Sequence, residues 1–195
     1  MNRRQVDIDA VLDFWFTTPG DPEWATMRDA WWDKDPAFDQ ACREVGMDLH
    51  ACALRGELED WSAEPLPALA LVVLCDQLPR NMFRGAPAMY GSDDLALRVA
   101  RRIDASGWRA GYTPVQQLFS HMPFEHAERL EEQERHVAFV RDEYAGPSKE
   151  DCLKAAERHH EIVARFGRFP HRNAILGRTT TPEEAAFLQE PNSSF

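Results

Sequence analysis

The sequence predicts an all-α fold: stacked antiparallel helical hairpins, about eight or nine helices, in one domain over residues 1–195. Three observations predict it. Apolar residues recur at helical spacing, and no sustained alternation marks a strand. Proline and glycine interrupt that pattern at short intervals. One run, LPALALVVLCDQL at 66–78, is apolar on nearly every side, as a helix in the middle of a domain must be.

Along the chain, a first helix is expected from about Asp7 to Phe16, stopped by TTPGDP. A short second one carries Trp24 and the Trp31–Trp32 pair. Pro36 suits the first position of a third, which ends near Gly56. The apolar helix 66–78 is then stopped by Pro79. Ser92 caps the next, whose Leu95, Val99 and Ile103 recur every four positions. Thr113-Pro114 opens another, and Met122-Pro123 kinks or restarts the chain before a long helix reaching about Tyr144. After the break Gly146-Pro147-Ser148, a helix places Cys152, Ala156, His159, Val163 and Phe166 on one face and ends at Gly167. Thr181-Pro182-Glu183-Glu184 is a capping box that starts a last short helix.

Composition narrows the function. A net charge of -11 opposes a nucleic-acid footprint, which needs a basic face. Arg3 and Arg4 are followed by Asp7, Asp9 and Asp13, unlike a signal peptide, and no apolar run is long enough for a bilayer. The four cysteines, scattered without a CxxC pair, read as reduced thiols of a cytoplasmic protein.

Against this acidic background two stretches lack Asp and Glu entirely, although the chain has 33 of them. One is 77–92, with Arg80, Asn81 and Arg84; the other is 162–182, with Arg168, His171, Arg172 and Asn173 inside FGRFPHRN. Guanidinium groups grip carboxylates or phosphates through parallel hydrogen bonds, and Asn and His add directed donors. The residues admit two readings: a small anionic ligand, or the chain's own acids holding neighbouring hairpins together.

His126 and Gln133 fall on the apolar stripe of the expected long helix, and His159 interrupts an apolar face on the helix after it. Two inward histidines can flank one cavity as acid, base or donor, or sit in a satisfied core network. Asp76 is an acid near the end of the most apolar helix, placed to pair with a loop arginine. Glu157-x-x-His160 is a single di-iron-type motif where two are needed, so no metal or other cofactor is expected.

The segments LCDQLPRNMFRG, HMPFEHAERLEEQER and HHEIVARFGRFPHRNAILGR followed by TPEEAAFL resemble, in order, the bacterial family called domain of unknown function 924. The resemblance implies a tetratricopeptide-like helical array and no established activity. It covers Asp76, Gln77, Arg80, Asn81, Glu125, His126, His159, Arg168, His171, Arg172 and Asn173. The chain departs from the family pattern at His121, Ala127 and His160.

The expectation is therefore a small anionic ligand held by Arg80, Asn81, His159, Arg168, Arg172 and Asn173. His126 and His171 would transfer protons, with Glu125 or Asp76 orienting one of them. The competing class is a tetratricopeptide-like module that grips a peptide or protein partner.

Overall fold

The computed structural model describes residues 3–24 and 26–194. Every regular element among them is helical. Helix α1, Arg3–Phe16, starts earlier than expected and buries Ile8, Val11, Trp15 and Phe16. The expected second helix is reduced to one 3-10 turn, Asp29–Trp31. Its Trp31 ring lies 4.6 Å from Phe119 and 5.7 Å from Trp15, so aromatic packing fixes this segment. Helix α2, Pro36–Leu54, has Pro36 in first position, and the Asp35 carboxylate accepts from the Ala37 N–H at 2.8 Å.

The apolar run forms the centre of the molecule. Helix α3, Pro65–Val72, continues through a π turn, Val73–Gln77, into α4, Leu78–Met82. Pro79 does not stop it. A proline removes one N–H from the ladder, which orphans the Cys75 carbonyl four residues earlier. That carbonyl accepts from the Ser92 hydroxyl at 2.6 Å, and Ser92 Oγ also lies 2.9 Å from His50 Nε2. Ser92 is thus committed here and makes no side-chain cap on helix α5, Asp93–Ala105. Helices α1, α2, α5 and α6 pack around α3 and α4, burying Leu69, Val72 and Leu74 completely. Each such side chain contributes roughly 1.5–3 kcal/mol of burial.

Helix α6, Pro114–His126, opens with the Thr113–Gln116 capping box and runs through Pro123 without a break. The interruption falls after His126, before helix α7, Leu130–Ala138, which passes through a π turn at Phe139–Glu143. The buried Gln133 joins the pieces, its Nε2 donating to the carbonyls of Phe124, Glu125 and Ala127. Helix α8, Lys149–Phe166, ends at Gly167 with φ of 68°, the left-handed cap a glycine adopts without strain. Helix α9, Pro182–Phe187, carries the Thr181–Glu184 capping box. No helix among the described residues is long and apolar enough to cross a membrane.

Candidate functional site

The π turn positions the first group. An extra residue in one helical turn widens the coil and re-aims its side chains. Asp76, 0% exposed, meets the end of α6, where its carboxylate oxygens accept from His126 Nδ1 at 2.8 and 2.9 Å. Gln77 Nε2 also donates to Asp76, and an Arg80 nitrogen lies 3.6 Å away. Burial opposes ionisation of Asp76, but His126 and Arg80 outweigh it and hold the carboxyl below its ordinary range. Burial also lowers His126, with Arg80 adding to it and Asp76 opposing. The ring is therefore neutral at pH 7, and Arg80 is the standing countercharge of Asp76.

Asp93, at the start of α5, gathers two arginines from the two acid-free stretches. Arg80 donates to it at 3.1 and 3.4 Å, and Arg172 at 3.3 Å. Arg172 also donates to the His126 carbonyl at 3.1 Å, and its guanidinium lies 4.5 Å from the centres of the Tyr90 and Phe169 rings. Arginines 80 and 172 thus lie one carboxylate apart.

They line a cavity of about 430 Å³ together with Glu125, His126, His136 and His159. Its apolar wall is Trp31, Trp32, Leu118 and Met122; Asn81, His171 and Cys152 also line it, with Asp33 and Lys34 on its exposed side. Glu125 is buried, with one carboxylate oxygen 3.4 Å from His159 Nδ1 and the other 3.7 Å from His136 Nε2. Burial, helped by the charge of Asp76 and opposed by Arg80, pushes its carboxyl up to about 8. Burial pulls His136 down to about 3 and His171 to about 4, and takes His159 well below its ordinary value. At neutral pH the cavity thus holds neutral imidazoles beside a protonated carboxyl. That pairing suits proton transfer. Cys152 is pushed up to about 11, chiefly by burial, and is no nucleophile at pH 7. Among the described residues no three His, Cys, Asp or Glu side chains are arranged to hold a metal ion.

A second cavity, of about 350 Å³, lies on the other side of Tyr90, His126 and Arg172, with Asp93, Asp94 and Glu128 in its wall. His126 and Arg172 are therefore reached from both.

Of the residues singled out in the sequence, Arg80, Asn81, Glu125, His126, His159, His171 and Arg172 reach the cavity lining, with Asp76 directly behind His126. Arg168 and Asn173 are not brought there. Arg168 forks onto Glu184 at 2.6 and 2.8 Å and donates to the Thr179 carbonyl, and Asn173 donates to the same carboxylate at 3.2 Å. Their geometry ties the end of α8 to the start of α9. The other stretch repeats this arrangement: Asp39 accepts from Asn81 at 2.9 Å and from Arg84 at 2.9 and 2.7 Å.

Sequence reasoning missed Tyr90, Asp93 and His136. His136 stands three residues after the inward Gln133, a spacing that puts it on the same face. Asp93 is a first-turn acid of α5, and no local pattern marks it.

A family model described as bacterial protein of unknown function (DUF924) matches residues 11–192. A solved structure of a protein of unknown function from Agrobacterium tumefaciens is 38% identical, with a TM-score of 0.81 over 96% of this chain and 99% of that one. No curated protein matches the chain.

Proposed function

The chain belongs to this DUF924 family of bacterial proteins of unknown function, and for it we propose the binding of a small anionic ligand, phosphorylated or carboxylated, in the larger cavity. The observation that carries this reading is the meeting of Arg80 and Arg172 on Asp93 at the cavity wall, beside His126. Two guanidinium groups share that one carboxylate, and among the described residues Asp76 supplies the only other carboxylate within 4 Å of Arg80. An entering anion finds donors already oriented by packing, which lowers the ordering cost of binding. The Asp76–His126 pair and the protonated Glu125 supply the groups for acid–base chemistry on that ligand. Arg168 and Asn173 serve structure in this reading. Unpaired cysteines at all four positions support a cytoplasmic setting, and the net charge of -11 supports a protein that avoids nucleic acid.

A thermal-shift screen tests it, comparing phosphorylated and carboxylated metabolites with uncharged analogues. A ligand at 100 times its dissociation constant adds about 2.7 kcal/mol, enough for a clear rise in melting temperature. Rises confined to anions support the reading. The competing peptide-binding module draws on Trp32, 53% exposed at the cavity edge. Melting indifferent to every anion, with tryptophan fluorescence that answers to peptides, would turn the assignment to that module.

A further inference from the structure

Four histidines line the larger cavity, and His126, His136 and His159 have Nδ1 committed within the chain. His126 Nδ1 faces Asp76 at 2.8 Å, His136 Nδ1 faces the His121 carbonyl at 3.1 Å, and His159 Nδ1 faces the Ala155 carbonyl at 2.8 Å. Carboxylates and carbonyls only accept, so the ring proton sits on Nδ1 in every case. A neutral imidazole with its proton there carries a lone pair on Nε2. Glu125 lies 3.7 Å from His136 Nε2, and His126 Nε2 has no hydrogen-bond partner among the described residues.

The cavity is therefore two-sided in its hydrogen bonding. Arg80, Arg172 and Asn81 donate, and the imidazole side accepts. A bare anion satisfies the first side and leaves the Nε2 lone pair of His126 unmet. A ligand that suits both carries an anionic group and a hydrogen-bond donor.

Charge decides which donor. Arg80 and Arg172 stand beside Asp76 and Asp93, and burial keeps Glu125 protonated near neutral pH. The remaining lining carboxylate, Asp33, is exposed next to Lys34, so an ammonium at His126 would face Arg80 and Arg172 with no buried carboxylate to offset it. A hydroxyl brings a donor without a second charge to desolvate.

Resting on the reading of the cavity as an anion site, we propose that the ligand is a small hydroxylated anion, a hydroxy acid or a hydroxyalkyl phosphate. Its charged group faces Arg172 and Arg80, and its hydroxyl donates to Nε2 of His126.

Isothermal titration of the wild-type protein with matched pairs tests this: lactate with propionate, malate with succinate, and glycerol phosphate with propyl phosphate. The hydroxylated member of a pair is expected to bind about tenfold more tightly, the effect of one well-placed hydrogen bond. The pair that shows it tells the carboxylate head group from the phosphate. Nitrogen NMR of the same samples is expected to move the His126 Nε2 resonance with the hydroxylated member alone. Equal affinities within every pair overturn the inference and leave anion binding standing. A preference that leaves the His126 resonance unmoved overturns the role of His126. Absence of binding by all six compounds overturns both this inference and the anion site beneath it.

Discussion

Asp76 and His126 lie 50 positions apart in the chain and meet at 2.8 and 2.9 Å. The contact depends on two irregularities: the π turn that carries Asp76 and the C-terminal end of α6 that carries His126. It fixes the imidazole with its proton on Nδ1 and turns the other nitrogen outward. Asp76 also raises the Glu125 carboxyl from behind, so one buried charge sets the state of two neighbours.

Replacing Asp76 with Asn removes that charge and fixes the sign of two changes. His126 loses an influence that raises it, and so does Glu125, whose value falls from about 8 toward the ordinary carboxylate range. Infrared titration of the protonated-carboxyl band is expected to show the Glu125 transition moving to lower pH in Asp76→Asn. A transition that stays in place contradicts the coupling.

Glu125 gives a pH dependence of stability. Its folded value of about 8 lies above the roughly 4.3 of an unfolded glutamate, so its stabilisation is complete below about pH 4.3 and lost as pH rises through 8. The buried histidines act oppositely: their folded values are lowered, so their contribution is present above about pH 6.5 and lost as pH falls. Between pH 6.5 and 8 Glu125 contributes a decline of about 2 kcal/mol, opposed by the last part of the histidine transitions. Urea denaturation is expected to show wild type losing about that much relative to Glu125→Gln across this window. A difference between the two proteins that does not change with pH contradicts it.

Ser92→Ala removes the hydroxyl that satisfies Cys75 and faces His50. Leaving a buried carbonyl unpaired costs about 1–3 kcal/mol. Chemical denaturation is expected to show a loss of that size, with helix content unchanged in circular dichroism. A loss below about 0.5 kcal/mol would remove Ser92 from the account of how the helix passes Pro79.

Arg168→Ala strips Glu184, 2% exposed, of its bidentate partner and loosens the α8–α9 junction. A lower denaturation midpoint is expected, from the loss of the charge-assisted pair. An Arg168→Ala protein as stable as wild type would mean that the junction does not depend on this pair.

Local chemistry was legible in the sequence. Thr113, Thr181, Pro36 and Gly167 act through neighbours within four residues, and each bounds a helix where the pattern said it would. Pro79 and Pro123 misled because both lie inside helical segments; at Pro79 the repair comes from the Ser92 hydroxyl, 17 positions from Cys75. The same distinction separates the site residues. Asp76, Glu125, His126 and Arg172 were visible as polar groups in unusual company. Asp93 was not, because only the fold brings Arg80 and Arg172 to it, from 13 and 79 positions away. Arg168 and Arg172 look alike in FGRFPHRN, yet one faces Glu184 and the other the cavity.

That last contrast gives the most direct test. Isothermal titration of the strongest anion from the thermal-shift screen would compare wild type, Arg172→Lys and Arg168→Lys. Each variant keeps its charge and loses only the guanidinium fork. Affinity reduced tenfold or more in Arg172→Lys and unchanged in Arg168→Lys is the predicted result. Affinity untouched by Arg172→Lys, or lowered equally by both, would contradict an anion site at the meeting of Arg80 and Arg172.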